Sequence, residues 1–197
     1  MGIGERVPEE KGELGRFIIL LANANDEPIR GRMKLQKMMC FLSRRVGEVK
    51  GQSGYGADRY GPYSETVDRE ERHLERTGVL ACDNSGNIAL TETGKEMAWE
   101  LSKNEDRDTL ESLDDYKEFL NDLTGEELLA YVYSAHPDMV EESAEYENLK
   151  PHMERHVMSL IKKQKISAEL GAELLDRPLY HVIQKIRNGQ TVVLEQA

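Results

Sequence analysis

Residues 63–91 read YSETVDREERHLERTGVLACDNSGNIALT, and this stretch decides the fold. Its first half is charged, with sparse apolar residues, and it ends at Gly78. That pattern predicts a helix with Pro62 in its first turn. Two short apolar runs then flank Asn84-Ser85-Gly86-Asn87, as is typical of a β-hairpin. The stretch therefore predicts a helix that leads directly into a hairpin.

The segments on either side are predicted to be helical. Residues 13–26, ELGRFIILLANAND, place apolar side chains at helical spacing before a turn. Residues 29–48, IRGRMKLQKMMCFLSRRVGE, combine an apolar face with basic residues on the opposite side and are expected to stop at Gly47. After the hairpin, residues 91–103 form another predicted helix, with Trp99 partly inward. The order of helix, helix, loop, helix, hairpin and helix is that of a winged helix-turn-helix domain.

The predicted fold class is therefore mainly α: a winged-helix domain with a small β-hairpin wing, followed by a helical C-terminal region. Composition divides the chain into three parts. We expect the winged-helix domain over residues 12–105 and an acidic helical extension, a candidate dimerisation surface, over 106–163. Residues 164–190 are expected to form a hairpin of two short helices that ends at Asn188-Gly189. Its spacing fits a helix-turn-helix, but many other helical hairpins share that spacing.

Charge and cysteine content narrow the class of protein. The 197 residues carry a net charge of −11, and 32% of them are charged. No apolar run reaches the roughly 18 residues of a membrane helix, and the N-terminal residues do not resemble a secretory signal or a myristoylation motif. Cys40 and Cys82 are far apart in apolar contexts, which is typical of buried free thiols. We therefore expect a cytoplasmic protein without membrane attachment.

No pattern predicts catalysis, a cofactor or a metal site. A Gly-x-Ser-x-Gly nucleophile motif is absent from the sequence. His152 and His156 share a helical face, but spacing indicates no third ligand. The glycines of residues 51–56, GQSGYG, follow a helix rather than a strand and lack the lysine of a phosphate loop, so we expect a flexible loop there. The chain is predicted not to be an enzyme.

The basic second helix and the helix-turn-helix-like tail favour binding to double-stranded DNA, whereas the net charge of −11 by itself argues against tight nucleic-acid binding. Residues 30–50 hold seven basic residues against Glu48 alone, whereas the predicted third helix contains more acidic than basic residues. The acidic residues of that helix favour a protein partner instead, so both classes of partner stay open. The candidate DNA contacts are the basic residues of the second and third helices and the preceding turn: Arg30, Arg32, Lys34, Lys37, Arg44, Arg45, Arg69, Arg72 and Arg76.

Two motifs resemble a known family. MKLQKMMCFLSRR (33–45) followed by YGADRYGPYSETVDREERHLERTGVL (55–80) is similar to the Panacea domain family of antitoxin-like domains and to related prokaryotic regulator-like proteins. The segment ELLAYVYSAHPDMVEES (127–143) is also similar to a downstream segment of some relatives, so the resemblance covers about residues 12–145. The motif positions are Lys34, Leu35, Gln36, Lys37, Tyr60, Gly61, Pro62, Tyr63 and Ser64.

The resemblance implies a small regulator-like protein, in some members an antitoxin that neutralises a toxin partner, and it implies no catalytic role for the motif residues. We expect the Tyr60–Ser64 segment to be structural and to fix the angle of the third helix. The leading hypothesis is a DNA-binding transcriptional regulator of winged-helix type that acts as a homodimer. The alternative is an antitoxin-like module that binds or sequesters a partner protein.

Overall fold

The computed structural model describes residues 12–135, 137 and 143–194, and it consists mainly of helices with one two-stranded antiparallel sheet. This confirms the predicted mainly helical class with a small hairpin. The chain divides into two compact units: residues 12–55 and 64–121 lie in the first, and residues 56–63 with the described residues from 122 onward lie in the second. No helix in the described part of the chain is long and apolar enough to cross a bilayer.

The described residues of the first unit form six α-helices and one β-hairpin. The sixth helix, α6, belongs to this unit, whereas composition predicts a domain boundary between residues 105 and 106, just before it. The elements in chain order are α1 (Glu13–Asn23), α2 (Arg32–Arg45), α3 (Gly47–Ser53), α4 (Glu65–Arg76), β1 (Leu80–Cys82), β2 (Ile88–Leu90), α5 (Glu92–Ser102) and α6 (Arg107–Asp122).

Helix α1 is the centre of this unit. Its residues Phe17, Ile18, Ile19, Leu20 and Leu21 are all buried, so the helix is apolar on every side. A helix of this kind is stable only inside a core. Accordingly, α1 contacts α3, α4, α5 and β2.

The hairpin pairs Leu80 with Leu90 and Cys82 with Ile88. A third short segment joins it: the backbone N–H of Ile29 donates to the carbonyl of Ile88 at 2.8 Å, and the N–H of Ile88 donates back at 2.9 Å. The turn residue Asp83 accepts hydrogen bonds from the backbone N–H groups of Ser85 and Asn87, both at 2.8 Å. These bonds hold the turn in one conformation.

A buried lysine supports the end of α1. Lys117, on α6, has no exposed surface, and its Nζ donates to the carbonyls of Ala22 at 2.9 Å and Ala24 at 2.7 Å. The chain there turns through two left-handed residues, Asn25 (φ 43°) and Asp26 (φ 54°). Burial lowers the pKa of Lys117 from 10.5 to about 8, while nearby carboxylates oppose this shift. Lys117 thus satisfies carbonyls that the helix end leaves without an intrahelical partner.

Some predicted features differ from the structure. Helix α2 ends at Arg45, close to the predicted stop at Gly47, but Gly47 begins a further helix, α3, which occupies part of the expected flexible loop. Pro62 is not in the first turn of α4, because Ser64 is the N-cap residue. Gly78 does follow the end of α4, with φ 73°, as predicted. Trp99 is not partly inward but 62% exposed.

The second unit is helical throughout. Its helices are α7 (Gly125–Ala135), α8 (Ala144–Leu149), α9 (Met153–Lys162), α10 (Ala168–Leu174) and α11 (Leu179–Leu194), with a short 3-10 turn at Lys150–His152. Residues 136–139, HPDM, for which the sequence predicts a short loop between helices, lie outside the described residues except for Pro137. The last helix continues past Asn188-Gly189, so the predicted stop there is wrong.

A buried carboxylate ties α7 to α9. Glu127 accepts from Lys163 Nζ at 2.6 Å, from Ser159 Oγ at 2.8 Å and from the backbone N–H of Thr124 at 3.0 Å. Burial alone would raise the pKa of Glu127, but these hydrogen bonds outweigh it and lower the pKa to about 2. Glu127 is therefore ionised in the folded protein at every ordinary pH.

Candidate nucleic-acid interface

The exposed face of α4 is basic. Arg69, Arg72, His73 and Arg76 are exposed, and Glu65 is the one exposed carboxylate of this helix. Steps of three and four residues place Arg69, Arg72 and Arg76 above one another on one side. Three guanidinium groups in a row can bind phosphates, or the O6 and N7 atoms of guanine.

Two other acidic residues of α4, Glu71 and Glu75, are turned toward Arg32, whereas Asp68 lies beside the arginine row. Glu71 is buried and accepts from Arg32 Nε at 3.1 Å, and Glu75 accepts from Arg32 at 2.7 Å. Asp68, which is half-buried, pairs with Arg72 at 2.9 Å. Burial raises the pKa of Glu71, and the charge of Arg32 only partly opposes it. The acid count of the sequence therefore overstates the repulsion that this helix would exert on a phosphate backbone.

Glu70 is held on yet another side of the helix. A Cβ atom at Gly15 of α1 would lie 2.5 Å from Glu70 Oε1, so the carboxylate rests against the glycine backbone. Glycine at position 15 leaves room for this contact. Glu70 is thus kept away from Arg69, Arg72 and Arg76, whereas the exposed Glu65, four residues before Arg69, lies on the same side as the three arginines.

The predicted basic face of α2 is only partly exposed. Lys34 is buried, and its Nζ donates to the backbone carbonyl of Asn121. Lys37 is buried as well, at 2% exposure. Buried ammonium groups do not reach a phosphate backbone, so the assignment of Lys34 and Lys37 as DNA contacts is corrected.

The remaining cations of this region differ in their surroundings. Arg30 pairs with Glu27 at 3.2 Å, and Arg32 is occupied by Glu71 and Glu75 as described. Arg44 and Arg45 are exposed at the C-terminal end of α2, and the Arg45 guanidinium lies 5.5 Å from the centroid of the Tyr116 ring. Arg32 is thus placed to position α4 rather than to touch a ligand.

The two motifs meet at Gln36 and Ser64. Gln36 Nε2 donates to the carbonyl of Ser64 at 3.0 Å, and the N–H of Ser64 donates to Gln36 Oε1 at 3.1 Å. We call this two-bond contact the Gln36–Ser64 pair. The Ser64 hydroxyl in turn accepts from the N–H of Val67 at 3.1 Å, as an N-cap does, and donates to the carbonyl of Ser53. These contacts fix where α4 begins.

The rest of the Tyr60–Ser64 motif belongs to the second unit. Gly61 adopts φ 77° in a turn in which its N–H donates to the carbonyl of Asp58 at 2.9 Å. Gly56 and Tyr63 exchange two backbone hydrogen bonds of 3.0 Å. The carbonyl of Arg59 accepts from Ser143 Oγ at 2.6 Å, which fastens this loop within its unit. Gly61 and Pro62 are buried, whereas Tyr60 is exposed.

The histidine pair does not form a metal site in the structure. His152 is exposed, whereas His156 is buried with Nε2 3.6 Å from a Glu126 carboxylate oxygen. Burial lowers the pKa of His156. Among the described residues, no cluster of three or more His, Cys, Asp or Glu side chains could hold a metal ion.

Comparisons with known proteins yield no relative for this chain: no family model, curated protein or solved structure matches it. Any functional assignment therefore depends on the geometry of its own residues.

Proposed function

We propose that the first unit is a winged helix-turn-helix module that binds double-stranded DNA through α4. In this proposal the protein acts in the cytoplasm as a transcriptional regulator, as a homodimer on a two-fold symmetric operator. The observation that carries the proposal is the exposed row of Arg69, Arg72 and Arg76, while two carboxylates of the same helix, Glu71 and Glu75, are held by Arg32.

The arrangement of elements supports this proposal. Ile29 lies between α1 and α2 and pairs with Ile88 in β2, so a short third segment joins the hairpin. In the proposed module, α4, the helix directly before the hairpin, is the recognition helix.

The wing contributes little charge to such an interface. Residues 83–87, between β1 and β2, contain Asp83 but no lysine or arginine. The exposed Asn84 and Ser85 can donate hydrogen bonds to phosphate oxygens. We therefore expect α4 to supply most of the ionic part of the binding free energy.

Fluorescence anisotropy with a labelled random-sequence duplex of about 30 base pairs tests the proposal, with dissociation constants measured between about 50 and 200 mM salt. The slope of log affinity against log salt is negative, and each phosphate contact adds roughly 0.9 to its magnitude. If Arg69 and Arg76 both contact phosphates, the Arg69→Ala, Arg76→Ala double variant should reduce that magnitude by about 1.8 and weaken binding.

The matched control is the Lys95→Ala, Arg107→Ala double variant. It removes the same charge from exposed positions on α5 and α6, where Lys95 pairs with Glu92 and Arg107 with Glu111. Equal losses in the two double variants would show a general effect of net charge and would contradict a role for α4. An absence of binding by the wild-type protein at about 50 mM salt would contradict the whole proposal.

A second candidate function is the binding of a partner protein, in line with the resemblance to antitoxin-like domains. The observation that favours it is the exposed indole of Trp99 on α5, which has Lys103 Nζ 3.1 Å from its ring centroid. Exposed tryptophans are enriched among residues that dominate protein interfaces. If this candidate holds, co-expression with the product of a neighbouring toxin-like gene should yield a complex that Trp99→Ala abolishes without changing DNA affinity.

A further inference from the structure

The last three helices of the second unit form a small three-helix cluster with its own core. Met158 from α9, Ala172 from α10 and Val182 from α11 are buried together, and Ile161, Leu175 and Ile186 pack against them. A Cβ atom at Gly171 would lie 2.4 Å from Ile161 Cδ1, so glycine at this position lets α10 approach α9 closely. The orientation of α11 is therefore set by packing.

A tight turn of four residues joins α10 to α11. The left-handed residue Asp176 (φ 48°) ends α10, with its N–H donating to the carbonyl of Glu173 and the N–H of Arg177 donating to that of Ala172. This pair of bonds is a Schellman motif. Pro178 then precedes α11 and accepts from the N–H of His181 at 3.0 Å. Two helices joined by a turn of this length have the form of a helix-turn-helix.

The outer face of α11 carries side chains of the types that can contact nucleic acids. Tyr180, Gln184, Arg187 and Asn188 are exposed, with Tyr180 at 71%, and they lie opposite the buried Val182 and the half-buried Ile186. Arginine, glutamine and asparagine are the residues that form paired hydrogen bonds with guanine and adenine in the major groove. Exposed Arg177 lies just before the helix.

This segment, like residues 30–50, carries an excess of basic residues. Residues 150–188 contain eight lysines and arginines against four aspartates and glutamates, within a protein of net charge −11. None of the four carboxylates is on α11: Glu169 and Glu173 belong to α10, Asp176 to the turn, and Glu154 to α9, where it pairs with Lys185. An anionic partner of this segment would thus meet a helix without acidic side chains.

We propose that α10 and α11 form a second DNA-binding helix-turn-helix, with α11 as the helix that enters the major groove of double-stranded DNA. This site is separate from α4 and does not depend on it. Arg177 and Arg187 supply ionic contacts to phosphates, and Gln184 and Asn188 contact base edges. The protein would then recognise a longer or bipartite sequence through two kinds of helix.

The test uses the full-length protein and the same random-sequence duplex as for α4. We expect the Gln184→Ala, Arg187→Ala double variant to raise the dissociation constant at least about fivefold and to lower the salt slope by roughly 0.9. Gln52→Ala with Arg107→Ala is the matched control, because both residues are exposed and belong to the first unit. Arg177→Ala serves as a second, single-site variant, and circular dichroism verifies that each variant is folded.

The outcomes separate the two sites. Losses of affinity in both α11 variants, with the control unchanged, support the inference, even if the α4 variant binds normally and the function proposed for α4 fails. Affinities within twofold of wild type in both α11 variants overturn the inference, whether or not α4 binds DNA. A change in oligomeric state without a change in DNA affinity, seen by light scattering, also overturns it and assigns α11 to a protein contact instead.

Selection of bound sequences from a random duplex library tests the base contacts. Wild-type protein should enrich a sequence with two parts, and Gln184→Ala should relax the preference in one part only. Enrichment of the same sequence by wild type and by Gln184→Ala would overturn the assignment of Gln184 as a base-reading residue.

Discussion

Replacing Gln36 with leucine is expected to lower the free energy of unfolding by about 2–4 kcal/mol. The side chain is buried and makes both hydrogen bonds of the Gln36–Ser64 pair, at 3.0 and 3.1 Å. Leucine has a similar volume but leaves the N–H of buried Ser64 without this partner, while the Ser64 carbonyl keeps the N–H of Asp68 at 3.1 Å. The unsatisfied N–H costs about 1–3 kcal/mol and the lost bond to the carbonyl about 0.5–1.5 kcal/mol, and the apolar leucine side chain offsets a small part of the loss.

Urea denaturation followed by circular dichroism measures this change as a shift of the midpoint at constant slope. Gln52→Leu is the matched control: Gln52 is exposed on α3, so its replacement should change stability by less than about 0.5 kcal/mol. If Gln36→Leu is as stable as Gln52→Leu, the two hydrogen bonds contribute nothing and the role assigned to this pair is refuted. Gln36→Glu should fall between the two, because it retains the acceptor for Ser64 N–H but places a carboxylate beside the Ser64 carbonyl.

Three further predictions concern other buried contacts. Gly94→Ala should destabilise the protein by about 1–3 kcal/mol in urea denaturation, because the new Cβ would lie 2.2 Å from the Val79 carbonyl oxygen. Gly51→Ala is the control: its Cβ would have no atom within 4 Å, so the substitution should be neutral or stabilising. Glu127→Gln should lower the free energy of unfolding above pH 4.5. This difference from wild type should shrink as the pH falls from about 4.5 toward 2, because only the unfolded wild-type chain takes up a proton on Glu127 in this range and the wild-type protein therefore loses stability. Lys117→Met should be less stable than wild type, and the difference should grow between pH 8 and 10. In this range folded Lys117 has released its proton while the unfolded chain still holds it, so the wild-type protein gains stability as the pH rises. A pH-independent difference in either titration would contradict the assigned pKa.

Local patterns were sufficient to predict the elements that have strong periodicity or clear end signals. The hairpin has two apolar runs around a polar turn, and Gly78 marks the end of the helix before it. Helix α3 had no such signal, since residues 47–53 read GEVKGQS with Val49 as the one apolar side chain. Two glycines disfavour an isolated helix by about 1 kcal/mol each, so α3 depends on its packing against α1 and α2.

The candidate interface was harder to predict, because charges in a sequence carry no orientation until their partners are known. Lys34 is buried because the carbonyl it contacts belongs to Asn121, far along the chain. Glu71 and Glu75 face Arg32, which precedes them by about forty residues. Periodicity alone does place Arg69, Arg72 and Arg76 on one face of α4, so a count of charges by helical face would have found this row.

The two sequence motifs contain positions whose structural role bears on function. Gln36 and Ser64 bond to each other, and Ser64 caps α4, so these residues determine where the helix starts. They do not determine which side chains point outward from it. A chain that shares both motifs would therefore inherit the position of α4 but not its partner. The choice between DNA and protein must then be sought in the exposed residues, which here are Arg69, Arg72 and Arg76 on α4 and Trp99 on α5.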